Sequence, residues 1–143
     1  MRQAWSKTVG VPSWSPLVDV PHKDNSQENG KNVHRKGATP AHTGQLGVIP
    51  GSMGDASYLV VGCGNPDWLW SCSHGAGRQV KRQTMRSAQA THGNWTCLTT
   101  NEARKIEEHP SAYKPIGPVI DSQVEQGLIE GLVELKPLWT FKT

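Results

Sequence analysis

A chain of 143 residues suits one domain with a modest core, and with 35% apolar residues, 15 glycines and 10 prolines that core is lean and much of the backbone is loop. A net charge of +3 is too mild to announce nucleic-acid binding by itself, no apolar run is long enough to span a bilayer, and six tryptophans fall at intervals that support neither a repeat nor a stacking platform. Three cysteines, Cys63, Cys72 and Cys97, form no CxxC pair and leave one unmatched in any disulfide scheme, so a soluble protein of a reducing, cytoplasmic compartment is expected.

Residues 1–32 mix Pro, Ser, Trp and Gly and then turn strongly polar from Lys23, with little periodicity; poor order is expected there, apart from an edge strand at Val18–Val20. Asn29-Gly30 predicts a hairpin turn leading into Lys31–Lys36, and Gly37–Pro40 a second turn. The run Gly47–Ile49 enters a glycine-flanked serine loop, Pro50–Ala56, and Ser57–Gly62 predicts a mostly buried strand. A helix is expected from Gly77 to about Ala90, gathering Arg78, Lys81, Arg82 and Arg86 on one side. A second fits Asn101–Glu108 with Asn101 as N-cap, and a third Pro118–Gln126, with Gly127 just past its end. In the tail, Val133, Leu135, Trp139 and Phe141 at period two predict one strand, placed at an edge by Pro137. Strands and helices interleave without regular βαβ spacing, so the fold class expected is α+β.

The chemistry concentrates in Ser71–Arg78, SCSHGAGR. His74 stands between Ser73 and Gly75, so no bulky neighbour blocks its ring. Gly75 and Gly77 permit positive φ and close approach to a phosphate, successive N–H groups in such a turn form an anion-binding concavity, and Arg78 adds a fixed fork for phosphate oxygens. A glycine-rich turn beside a lone histidine is also ordinary surface structure, and four basic residues at helical spacing are ordinary solvated charge.

Five ordered blocks together resemble the RtcB-type RNA ligases: Val33–Thr39, then Ile49–Gly54 with Ala56–Tyr58, then Ser71–Arg78, then Pro110 with Ala112–Lys114, and finally Lys142. Their order and spacing match the C-terminal part of that family, which joins RNA ends bearing a 3′-phosphate (or 2′,3′-cyclic phosphate) and a 5′-hydroxyl. The resemblance implies that His74 is the nucleophile that takes GMP from GTP. It implies that Ser52, Gly54, Ser57, Ala76, Gly77, Tyr113 and Lys142 surround the guanylate, with Tyr113 at its base and Lys142 contacting guanine. His22 stands where the family carries a Mn²⁺-binding histidine, the remaining ligands lying in an N-terminal part absent here. Arg78, Lys81, Arg82 and Lys36 are assigned to RNA phosphates.

On this resemblance residues 1–32 form a loop-rich segment carrying the metal histidine, and residues 33–143 the guanylate-binding part of a ligase. Asp55 departs from the pattern, standing where a small or hydroxylated residue is usual; a carboxylate near a triphosphate repels it. Two functions follow. Either the chain supplies the nucleophile of an RNA ligase and requires a complementary N-terminal piece, or it is a non-catalytic GTP- or RNA-binding protein. In the first case the surface that packs on the missing part should be exposed and prone to aggregation.

Overall fold

The computed structural model describes residues 15–21, 23–87, 93 and 95–142. The first strands among the described residues form a hairpin of β1 (Lys23–Glu28) and β2 (Lys31–Lys36), turned at Asn29 (φ 49°) and Gly30 (φ 75°). Two consecutive positive φ values match the right-handed twist of the flanking strands, which is why Asn-Gly occupies the turn. The strand β1 was not expected from periodicity. Its alternation is polar: Asp24, Ser26 and Glu28 lie half-buried on one face while Asn25 and Gln27 face solvent. Those three converge on Arg35 of β2, whose side chain is only 1% exposed. Arg35 Nη1 donates to Asp24 Oδ2 at 2.8 Å and to Glu28 Oε1 at 2.6 Å, and Nη2 to Glu28 Oε2 at 2.7 Å. Its Nε donates to Ser71 Oγ at 2.8 Å and Nη2 also to the Leu69 carbonyl at 2.9 Å, so the buried guanidinium ties the hairpin to the segment that leads to His74.

Hydrogen bonding from Arg35 outweighs the cost of burial and lowers the Glu28 carboxyl from 4.5 to about 2. Because the folded value lies below the unfolded one, the stabilisation is complete above pH 4.5 and is lost as the pH falls toward about 2. The urea midpoint is therefore expected to fall across that window, and to fall less steeply in Glu28→Gln, which has no carboxyl to titrate there.

Gly37 (φ 76°) breaks β2 from β3 (Ala38–Pro40), which pairs antiparallel with β6 (Ser71–Ser73). A three-stranded antiparallel sheet follows, ordered β4 (Leu46–Ile49), β5 (Ser57–Gly62), β8 (Ile129–Leu135). β7 (Thr96–Thr99) pairs in parallel with β9 (Trp139–Lys142). Among the described residues α-helices run over α1 (Arg82–Met85), α2 (Glu102–Glu107) and α3 (Ile116–Glu125), giving an α+β fold. Among the described residues no helix is long and apolar enough to cross a membrane.

The core joins Ala41, Ile49, Val60, Cys72, Ala76, Ile116, Ile120, Leu128 and Ile129. Ile49, Val60 and Ile129 are fully buried, each worth about 1.5–3 kcal/mol relative to exposure. The helix α3 presents Ile116, Ile120 and Gln123 inward at four- and three-residue spacing. Gln123 is satisfied there: its Oε1 accepts the Ser73 N–H at 2.6 Å and its Nε2 donates to the Val119 carbonyl at 3.0 Å.

The strand Ser57–Gly62 and the Asn101 cap stand as expected, the Asn101 side chain accepting the Ala103 N–H at 3.2 Å. Four expectations are corrected. Val18–Val20 forms no strand. The helix expected from Gly77 reduces to the single turn of α1, while residues 88–90 lie outside the described residues. Its first turn does not form because Gly77 stands at φ 74°, outside the helical region, its carbonyl accepts the Lys114 N–H at 3.0 Å in place of the Lys81 N–H, and Arg78 bridges Tyr113. The helix expected from Pro118 starts two residues earlier, at Ile116. The tail is two strands, β8 and β9, parted around Pro137, and its period-two apolar residues are not buried: Val133, Leu135, Trp139 and Phe141 are all exposed, with Leu132 and Leu138 beside them.

Candidate active site

His74 follows β6 in a bend through Gly75 and Ala76. Three main-chain anchors hold this loop. The Ser73 N–H is taken by Gln123, the His74 N–H donates to the Gly37 carbonyl at 3.3 Å, and the Ser73 hydroxyl donates to the Gly75 carbonyl at 2.5 Å. These bonds fix the backbone on either side of His74. The His74–Gly37 bond also sets Lys36, which is exposed, next to the loop.

Each neighbouring segment approaches closely. A Cβ at Gly75 would stand 3.3 Å from the Pro50 carbonyl oxygen, which brings the histidine loop against the start of the serine loop. A Cβ at Gly54 would meet Pro110 Cγ at 3.0 Å and Trp95 Cε3 at 3.2 Å, joining the serine loop to the segment before Tyr113. The Thr140 hydroxyl donates to the Met53 carbonyl at 3.4 Å, which carries β9 and hence Lys142 to the same loop. Lys142 is in β9, with its side chain outside the described atoms. Gly77 (φ 74°) accepts the Lys114 N–H at 3.0 Å, next to the Arg78–Tyr113 bridge. Thus Ser52, Gly54, His74, Ala76, Gly77 and Tyr113 come from segments in contact, with Ser57 starting β5 at the end of the serine loop. His22 lies outside the described residues.

The Tyr113 hydroxyl donates to Glu108 Oε2 and accepts from Arg78 Nη1 at 3.0 Å, while the Arg78 guanidinium carbon stands 4.9 Å from the ring centroid. Glu108 also accepts from Arg82 Nε at 3.2 Å and lies 3.4 Å from Arg78 Nη1. Burial raises the Tyr113 phenol above its ordinary value, and the Glu108 bond adds to the shift. For Glu108 burial works against ionisation, but bonds from Tyr113 and Arg82 and the two arginine charges prevail, so its carboxyl stays low and charged.

The cations do not form one helical face. Arg78 is turned inward, its Nη2 donating to the Glu107 carbonyl at 2.5 Å and its Nε to the Val80 carbonyl at 3.2 Å. Arg82 and Arg86 are largely open to solvent yet paired with Glu108 and Glu107, and Lys81 is exposed ahead of α1. Glu107, Glu108 and Gln123 went unnoticed in the sequence; only a glutamine on the apolar face of a helix gave any signal.

Ser52 is engaged by the departure noted above: its hydroxyl donates to Asp55 Oδ2 at 2.5 Å, while the Gly54 N–H donates to Ser52 Oγ at 3.3 Å. Among the described residues no three of His, Cys, Asp or Glu converge to hold a metal ion, so they do not by themselves fit Mn²⁺. The three cysteines are free thiols, and burial pushes those of Cys63 and Cys72 up. A cavity of about 750 Å³ adjoins the loop on the side of Lys36 and Ser73, between β2, Trp68–Leu69 and α3; among the described residues neither His74 nor Ser52 lines it.

The family model for tRNA-splicing ligase RtcB matches residues 1–143. The chain is 36% identical over 140 residues to the RNA-splicing ligase RtcB of Escherichia coli K12, covering 91% of this chain and 34% of that protein. RNA-splicing ligase RtcB1 of a second Escherichia coli strain is 41% identical over 146 residues, covering 95% and 35%. The tRNA-splicing ligase RtcB of Nanoarchaeum equitans is 34% identical over 133 residues, covering 77% and 28%. The chain thus spans about a third of the length of the relatives it matches. With all 143 residues of the chain matched by the family model, this chain belongs to the RtcB ligase family.

Proposed function

We propose that this chain supplies the nucleophile and guanylate pocket of a GTP-dependent RNA ligase. A neutral His74 ring nitrogen attacks the α-phosphorus of GTP; the P–N bond forms as the bond to pyrophosphate breaks. An oxygen of the RNA 3′-phosphate then takes the guanylyl group from His74, and the 5′-hydroxyl attacks that activated phosphate and expels GMP. Main-chain N–H groups of the Gly75–Gly77 turn and nearby cations stabilise charge on the phosphoryl oxygens. Lys36, Lys81 and Arg82, exposed near the loop, are suited to RNA phosphates; Arg78 is suited to shaping the pocket. Mn²⁺ is the proposed metal, with His22 as one ligand and the other donors supplied by the part of a ligase that this chain does not span.

The observation that carries this reading is the convergence of the serine loop, the histidine loop and Tyr113, through the Gly75–Pro50 approach and the Arg78–Tyr113 bridge. The exposed apolar residues of β8 and β9 support the need for a complementary N-terminal piece. The test is covalent labelling of the purified chain by GTP labelled at its α-phosphate, with Mn²⁺, alone and with the N-terminal part of a relative. Acid-labile label supports the reading, and label only with the added piece identifies a split enzyme. No label under either condition overturns catalysis.

A second reading, nucleotide or RNA binding without catalysis, is favoured by one observation: Asp55 occupies the Ser52 hydroxyl and adds a negative charge to the serine loop. The two readings differ over Asp55→Ser. If the pocket takes GTP, freeing Ser52 and removing that charge should lower the GTP concentration for half-maximal labelling by about fivefold, the effect of one nearby exposed charge. Labelling across a GTP titration checks it.

A further inference from the structure

We propose that Glu108 is a positioning residue of the guanylate pocket, holding the Tyr113 hydroxyl and balancing Arg78 and Arg82 so that Tyr113 meets the nucleotide with its ring and not its hydroxyl. This deepens, and rests on, the reading of the His74 loop as a guanylate site. Glu108 caps the end of α2, and its side chain is 10% exposed. A carboxylate so buried is costly unless paired. Here three groups face it: the Tyr113 hydroxyl, Arg82 Nε and Arg78 Nη1. A phenol has one proton to give, and Tyr113 gives it to Glu108 while accepting from Arg78. The hydroxyl therefore has no donor left for a base. What remains is aromatic surface, fixed at the hydroxyl end by Glu108 and at the backbone by the bridge to Arg78. The same carboxylate offsets two cations at the histidine loop, so that Arg78 stays folded against the Tyr113 ring.

The test measures His74 labelling against GTP concentration in the wild-type chain, E108Q and E108A, under whichever condition labels the wild type. A parallel ultraviolet titration follows the two tyrosines, with Y113F identifying Tyr113. E108A is expected to raise the half-maximal GTP concentration about tenfold and to leave the saturated rate within about twofold, the pattern of lost binding. E108Q keeps an oxygen for the phenol, and an increase of about threefold is expected. The Tyr113 titration should move down in both variants. Unchanged GTP dependence in E108Q and E108A, even with a shifted tyrosine, overturns the proposal and leaves Glu108 a structural residue. A fall in saturated rate alone also overturns it. If E108A does not fold, E108Q decides. A wild-type chain without label defeats the guanylate reading and this proposal together, whereas a labelled wild type with unaffected Glu108 variants defeats this proposal only.

Discussion

His74→Ala is expected to lose all covalent guanylate, at least about a thousandfold below wild type, while keeping its fold. The loss follows because no other side chain of the loop offers a neutral nitrogen: the block Ser71–Arg78 holds two serines, one buried cysteine, glycines, an alanine and an arginine engaged by Tyr113, Val80 and Glu107. The fold should survive because His74 is outside the core cluster and its loop is held by main-chain bonds to Gln123 and Gly37 that alanine retains. A change in stability of no more than about 1 kcal/mol is expected for such a half-exposed position. Labelling and urea unfolding on the same preparation check both halves. Label persisting in His74→Ala would mean another residue carries it, and the assignment of the nucleophile would fall.

Arg35→Ala should destabilise the chain by about 3–5 kcal/mol, the cost of leaving buried charges without their partner. Asp24 and Glu28 would face each other across the emptied site, and the Leu69 carbonyl and Ser71 hydroxyl would lose a donor. Against a typical total of about 5–15 kcal/mol, that is a large fraction. Arg35→Lys keeps the charge but not the fork that meets Glu28 through two nitrogens, so an intermediate loss is expected. Urea midpoints of the two variants give the ranking. A midpoint in Arg35→Ala equal to wild type would show that the network does not hold the hairpin. Labelling should suffer with stability in these variants, since the hairpin leads through Lys36 and Gly37 to the bond that positions His74.

Much of the fold was legible because local chemistry forces it. Asn29-Gly30 is a turn whose two positive φ values few other dipeptides tolerate. Ser57–Gly62 is a β-branched and aromatic run with one good place to be, and Asn101 caps the helix that follows it. The strand at Lys23–Glu28 was hidden because its alternation is polar, and a pattern of Asp, Ser and Glu marks a buried face only once Arg35 stands opposite. The helix from Gly77 misled for the complementary reason: the spacing of Arg78, Lys81, Arg82 and Arg86 is helical, but the Gly77 carbonyl that would close the first turn is claimed by the Lys114 N–H, more than thirty residues away.

The sequence by itself determined the α+β class, the hairpin turn, the core strand and the identity of the blocks that mark the RtcB family, because each depends on residue type at short spacing. Only the tertiary structure decided which partners those residues keep. An arginine reads the same whether it faces RNA or a carboxylate, and here Arg78 and Arg82 meet Glu108 while Arg35 meets Glu28. A serine reads the same whether it awaits a nucleotide or donates to Asp55. Charges and hydroxyls have no period to reveal their direction; desolvation on folding sets it, since a buried polar group must find a partner and takes the one that the chain path brings within reach.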